Sequence, residues 1–336
     1  MRCQKRRSRL SETHVIADCA CLPVGRECGL SIACREVTMR LLECVPNISE
    51  GKDQDKIASM VEDVKKHRGV KLLDFSSDKD HHRSVFTLIG EPEAIKDAVF
   101  SLAMKAIDLI DMREHKGGHP RLGAVDVVPF VPIQGVEMEE AIQIAHEFGK
   151  GLGKRGIPIF FYEEAAIQPE RKDLPSIRKG EYEGLEEKLK DPKWKPDEGP
   201  NYFNPKCGAT VVGARFPLVA YNVNLKTKDL TLAKEIAQKV RFKDGGFPHV
   251  RAMGVDLKEK GIVQVSMNLT NYRVTNIPKV FEFIKGETSK RGVEIEGSEI
   301  VGLIPIGVLE GIAQYYIKCP QFSSSQVIEK RILGFE

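Results

Sequence analysis

Two histidines four residues apart, His115 and His119, open the stretch "HKGGHPRLGAVDVVPFVP" at 115–132. A histidine pair at this spacing holds a metal when both rings leave one face of a continuous helix. Gly117, Gly118 and Pro120 break any helix here and no glutamate lies between the pair, so a zinc site is not expected. His115 suits the end of a preceding helix, where a cation is favoured. His119 sits between Gly118 and Pro120, ahead of an apolar strand. Imidazole titrates near neutrality, as a proton shuttle must. Residue chemistry alone leaves His119 divided between a general base and a loop residue.

A second polar knot is "DHHRSV" at 80–85. On an extended backbone His81 and His82 point in opposite directions and do not face one site together. Arg83 carries the fork that grips a carboxylate, although an ordinary charged turn accounts for the stretch equally well. The run "GPNYFNPKCG" at 199–208 brackets aromatic rings with Gly and Pro. It reads either as a platform for a planar ligand or as a packed turn between domains. Asn222, Asn224 and Asn268 fall in strand-like runs, where they line a polar cavity or bond across a sheet. No dinucleotide fingerprint follows the first strand, and neither a P-loop nor a G-x-S-x-G elbow occurs, so nucleotide and serine-hydrolase chemistry find no support.

The elements that must hold these residues follow from periodicity. Before Gln168 the pattern reads β-α-β-β-α-β-α-β, ending in the all-apolar "AVDVVPFVPI", the helix "EMEEAIQIAHEFGKGLGKRG" and the strand "IPIFFYEEAA". From Gln168 to Pro205 the chain turns charged and proline-rich around its single tryptophan, Trp194, as in a functional segment or linker. The rest reads β-β-α-β-β-α-β-α. The expected fold class is α/β (α+β), with two subdomains that each pack helices on a mixed sheet. The expected boundaries are 39–205 and 206–320, with a tail over 321–336.

A formal charge of +3, from 51 basic and 48 acidic residues, is too balanced for a nucleic-acid footprint. No apolar run reaches the roughly eighteen residues of a membrane helix. Five of the eight cysteines precede Met39, and the cysteine-poor body that follows fits a reducing, cytoplasmic setting. Residues 1–38 are expected to be a disordered or mis-annotated extension, with Met39 as the functional start.

The stretches "LLECVPNISEGKD", "LLDFSSDKDHHRSVFTLIG", "AIDLIDMREHKGGHPRLGAVDVVPFVP", "RKGEYEGLEEKLKDPKWKPDEGPNYFNPKCGATVVGAR" and "QVSMNLTNY" together resemble the glutamate formimidoyltransferases, the formiminotransferase part of formimidoyltransferase-cyclodeaminase. The resemblance runs from about Met39 to about Lys318. It implies two α/β subdomains with a ligand tunnel between them, a homodimer, and a role in histidine breakdown. The implied reaction moves the formimino group of N-formimino-L-glutamate to N5 of tetrahydrofolate, giving 5-formiminotetrahydrofolate and L-glutamate. Tetrahydrofolate is then a co-substrate, with no metal, nucleic acid or membrane involved. The family's essential histidine falls on His119, as general base. Its folate loop falls on Gly199, Pro200, Asn201, Tyr202, Phe203, Asn204, Pro205, Lys206, Cys207 and Gly208. Arg83, Arg121 and Arg215 become candidates for the substrate carboxylates, and Asp74 or Asp126 for orienting His119. Two positions depart from the pattern: Ser76 stands where many relatives are acidic, and His82 where asparagine is common. The cyclodeaminase half is expected to be absent. Alternatives are a formyl transfer between N-formylglutamate and 5-formyltetrahydrofolate, a metal-assisted amidohydrolase using His81, His82, His115 and His119, and a folate-binding protein without catalysis.

Overall fold

The first strand is broken in two by a proline that cannot donate to a ladder. In the computed structural model, which describes residues 39–333, β1 (Leu41–Cys44) and β2 (Asn47–Ile48) flank Val45 and Pro46. Both pieces lie antiparallel between β4 (Arg83–Gly90) and β5 (Val125–Gln134). The N-terminal extension and its five cysteines lie outside the described residues. On the far side of β4 runs β3 (Val70–Asp78), also antiparallel. Beyond β5 come β7 (Thr210–Ala214) and then β6 (Ile159–Glu163), both parallel to their neighbours, which completes a mixed seven-stranded sheet.

Three helices cover one face of this sheet. The first, α1 (Gln54–Lys65), is capped by Asp53, whose carboxylate accepts from the backbone of Asp55 and Lys56 at 3.1 Å each. Next, α2 (Pro92–Leu109) starts on a proline that needs no N–H partner there. With α3 (Met138–Gly153) these helices bury Ile95, Leu102 and Phe148 against Leu42, Leu88 and Phe130 of the strands. The charged segment after β6 covers part of the other face. Its two short helices, α4 (Leu174–Arg178) and α5 (Leu185–Lys188), bring Ile177, Leu185 and Leu189 onto Val127, Phe160 and Val211. That is why the strand at 125–131 is buried throughout: α3 packs on one side and this segment on the other. The segment is therefore a crossover rather than a free linker. Parallel neighbours such as β6 and β7 need a long connection. It follows that β7, expected in the second half beyond residue 205, hydrogen-bonds in the first sheet.

The second sheet is antiparallel, in the order β11-β8-β10-β9, built from β8 (Val219–Leu225), β9 (Val250–Leu257), β10 (Ile262–Leu269) and β11 (Ile295–Val301). The expectation of a mixed sheet in each half thus holds for the first only. Helices α6 (Leu230–Val240) and α7 (Ile277–Ser289) bury Ile236 and Val280 against Val223 and Val265. Then α8 (Ile306–Tyr316) packs on α7, and the stretch expected as a tail includes the short helix α9 (Ile328–Leu333). On the face of β8 away from these helices Asn222 donates to Glu299 at 3.1 Å, while Gln264 reaches both Asn224 and Glu299 at 2.8 Å. Asn222 and Asn224 thus serve cross-strand bonding, and Asn268 is exposed.

Candidate active site

Strand periodicity separates β4 into two jobs. Ser84, Phe86, Leu88 and Gly90 are buried, whereas Arg83, Val85, Thr87 and Ile89 alternate with them and share the opposite face. Those four residues line a cavity of about 550 Å³ together with Glu43, Asn47 and Arg215. The second half closes it with Leu218, Ala220 and the stretch from Val301 to Pro305. A bulge in β3 matters here: the register shifts between Leu72 and Asp74, so Asp74 pairs with Thr87 and Ser76 with Val85. The extra residue turns both side chains onto the cavity wall, the usual effect of a bulge.

His119 reaches this cavity through Arg83. Nη1 of Arg83 lies 2.6 Å from Nε2 of His119. A guanidinium can only donate, so Nε2 is the acceptor. The partner of His119 is thus a cation and not the carboxylate of Asp74 or Asp126. Burial, with Arg83, Arg178 and His81 nearby, holds the imidazole down at about 3. Asp126 is 1% exposed, and its carboxylate is taken by Arg178 and by the backbone N–H of Leu122 at 2.9 Å. Burial raises its carboxyl above the ordinary range, with Arg178 and the Leu122 amide pulling the other way. Arg215 lies on the same cavity, where it opposes the rise that burial imposes on Glu43, and it contacts the buried hydroxyl of Tyr162.

The remaining histidines form a packed knot behind the loop. His82 stacks on His115 with ring centroids 4.1 Å apart. Its two nitrogens face the Lys116 carbonyl at 3.0 Å and the Glu50 carboxylate at 3.1 Å. His115 meets the His82 carbonyl through Nε2 and accepts from Arg121 Nε at 3.2 Å. Arg121 is 5% exposed and its forks go to Glu183 at 2.6 and 2.8 Å, with Glu181 beside it. Its donors serve the fold, so of the three arginines only Arg83 and Arg215 line the cavity. His81 pairs with Asp78 at 2.9 Å, and its ring lies T-shaped to that of His119. His81 and His82 thus both touch the 115–119 loop, because the backbone turns there, with φ of 50° at His82, instead of running extended. Among the described residues no group of three or more His, Cys, Asp or Glu is gathered to hold a metal.

The 199–208 loop is held by the Asn204 side chain and by backbone bonds to neighbouring segments. Asn204 accepts from the N–H groups of Lys206 and Cys207, and Gly208 takes a φ of 67° where it bridges to Gly123. Asn201, Tyr202, Phe203 and Pro205 open onto a separate cavity of about 710 Å³, and Tyr202 is 63% exposed. None of residues 199–208 lines the cavity at Arg83. Another cavity, of about 640 Å³, lies between the halves with Glu163, Arg241, His249 and Arg251 in its wall.

Two family models match consecutive stretches of the chain: "Formiminotransferase domain, N-terminal subdomain" over residues 41–215 and "Formiminotransferase domain" over residues 220–333. The chain belongs to the formiminotransferase family. Among curated formiminotransferases it is 44% identical to a glutamate formimidoyltransferase of Streptococcus pyogenes serotype M1, covering 88% of this chain and 99% of that protein. A glutamate formimidoyltransferase of Thermoplasma acidophilum is 43% identical over 88% of this chain and 98% of its own length. The formimidoyltransferase-cyclodeaminase of Dictyostelium discoideum is 46% identical, and the match spans 53% of it.

Two residues of this candidate site escape sequence reasoning. Glu50 anchors His82 and accepts the N–H groups of Lys52 and Asp53. Its signal was the turn before a capped helix, which said nothing of histidines 32 residues on. Arg178 lies in a charged run and meets Asp126 only through the crossover. His82 takes a left-handed backbone, which histidine and asparagine tolerate better than most residues.

Gly117 shows how tightly the loops are fitted. A Cβ there would collide with the His81 carbonyl and lie 2.7 Å from the His82 Cβ. Gly117→Ala is expected to push the 115–121 loop away from the β3–β4 turn and to lower kcat/KM about 100-fold through misplacement of His119. Steady-state kinetics beside an unchanged circular-dichroism spectrum checks this, and near-normal kcat/KM would contradict the fit described.

Proposed function

We infer that this chain transfers the formimino group of N-formimino-L-glutamate to N5 of tetrahydrofolate, with His119 as the proton acceptor. The observation that carries this reading is the imidazole of His119 accepting from Arg83, which walls a cavity together with Arg215 and Asp74. The chemistry asks for those groups. Attack by N5 on the amidine carbon makes N5 cationic in the tetrahedral adduct, and a neutral base must remove that proton and return one to the departing glutamate nitrogen. Both substrates carry carboxylates, which guanidinium groups pair with well. Asp74 offers a negative charge to the cationic formimino group, close to Ser76, where many relatives are acidic.

Two inter-sheet cavities, of about 550 and 640 Å³, are in the size range of small-molecule sites and are consistent with a passage between the subdomains. The exposed ring of Tyr202 supports folate stacking on the 199–208 loop. A homodimer and a cytoplasmic setting belong to the same proposal. No helix among the described residues is long and apolar enough to cross a membrane.

The test is turnover of tetrahydrofolate with formiminoglutamate and, separately, with formylglutamate, followed by the folate spectrum. A higher kcat/KM with the formimino donor is expected. Preference for the formyl donor would replace the reading with formyl transfer, and tight folate binding without turnover on either donor would replace it with a binding role.

A further inference from the structure

The contact between Arg83 and His119 is awkward for the reaction proposed above, on which this inference rests. A general base needs a free lone pair, yet Nε2 of His119 is occupied by Arg83 Nη1 at 2.6 Å. With its basicity held at about 3, the ring takes up a proton poorly at neutral pH. The charged and titratable groups around the ring are Arg83 from β4, Arg178 from α4 and His81 from the β3–β4 turn, with Asp126 of β5 beyond them. Arg178 is pinned to buried Asp126, and His81 is paired with Asp78. Arg83 differs from both, because it lies in the cavity wall within reach of a ligand.

We propose that Arg83 is a substrate-operated latch on His119: a substrate carboxylate entering the cavity takes the Arg83 guanidinium as its partner and frees Nε2 to accept the N5 proton. The exchange is favourable because a carboxylate adds a full opposite charge and a second acceptor for the guanidinium fork, neither of which the single nitrogen of a neutral imidazole offers. It also sets the neighbouring positive charge against a negative one, so the freed imidazole becomes more basic. The proton balance closes. The N5–H bond breaks as Nε2–H forms, and Nε2 then returns the proton to the glutamate nitrogen as its bond to the transferred carbon breaks. Arg83 stays protonated throughout, and release of the carboxylate lets it return to His119. The base is therefore active only while substrate is bound. Arg83 is a positioning residue in this scheme, although the carboxylate it holds belongs to the substrate.

The experiment is a histidine-ring NMR titration of the full chain labelled with ¹⁵N-histidine, from about pH 4 to 8 so as to bracket the ordinary histidine range. His119→Ala identifies the signal, and L-glutamate is the probe. In the free chain His119 is expected to stay neutral across the window. Saturating glutamate should bring its midpoint into the window, an upward shift of at least about one pH unit, or tenfold in proton affinity. Arg83→Met should produce a similar rise without glutamate, and added glutamate should then change little. The His146 ring, which meets the Ala165 carbonyl at 2.9 Å beside Phe161, reports that each variant is folded. A His119 midpoint already in the ordinary range in the free chain, or one that neither glutamate nor Arg83→Met moves, overturns the latch. Should Arg83→Met not fold, the glutamate titration of the unsubstituted chain decides alone. The two readings fail separately: a glutamate-sensitive His119 without formimino turnover removes the reaction, and turnover with an insensitive His119 removes the latch.

Discussion

His119→Ala is expected to lower turnover by about 10²–10⁴-fold, the range that a positioned general base supplies. Tetrahydrofolate binding should be largely retained. His119 stands between Gly118 and Pro120, its ring lies T-shaped to that of His81, and its acceptor nitrogen is turned to Arg83 at the cavity wall. Removing the imidazole deletes a proton acceptor without touching Arg215, Asp74 or the 199–208 loop. Arg83 would lose its hydrogen-bond partner but stay beside the cavity, free to hold a carboxylate. The loss should therefore fall mainly on kcat, with little change in equilibrium binding of tetrahydrofolate measured by calorimetry. Near-normal turnover would remove His119 from the mechanism, and equal loss of binding and rate would make it a residue of the binding wall.

Asp126→Ala is expected to be the most destabilising single change near the site, by about 3–5 kcal/mol, the usual cost of stranding one member of a buried ion pair. Asp126 is 1% exposed and pairs with Arg178, whose side chain is 15% exposed. Nε of Arg178 already has no hydrogen-bond partner among the described residues. Without Asp126 the guanidinium would lose its counter-charge while still covered by the crossover. The same carboxylate holds the N–H of Leu122, three residues after His119, so the loop would loosen as well. Urea unfolding followed by circular dichroism measures the first effect and kcat/KM the second. Asp126→Asn, which keeps an acceptor for Leu122 but not the charge, should recover part of the rate and little of the stability. An unchanged urea midpoint for Asp126→Ala would show that Arg178 finds another counter-charge.

Much of the architecture was legible along the chain because strands and helices print their periods locally. Alternation in "RSVFTLIG" and the apolar face of "EPEAIKDAVFSLAMKAIDLIDM" match β4 and α2. The placement of Thr210–Ala214 was not legible, because a short apolar strand reads the same in either sheet and its partners, β5 and β6, lie far back in sequence. The crossover at 168–205 was hidden for a similar reason. Leu174, Ile177, Leu185, Leu189 and a few aromatic residues in that polar run pack on the sheet, at no regular spacing.

The sequence by itself determined the family, the glycine-rich loop that carries His119, and the exclusion of a helical zinc pair, since each is a matter of residue type at short spacing. Only the tertiary structure decided which polar groups meet. Arg121, Arg83 and Arg215 look alike as residues in matching motifs, yet Arg121 is consumed by Glu183 and His115 while Arg83 and Arg215 face the cavity. Asp126 and Asp74 looked like partners for His119, and the structure put a guanidinium there instead. A hydrogen bond depends on a few tenths of an ångström between segments 36 residues apart, and no local pattern encodes that distance.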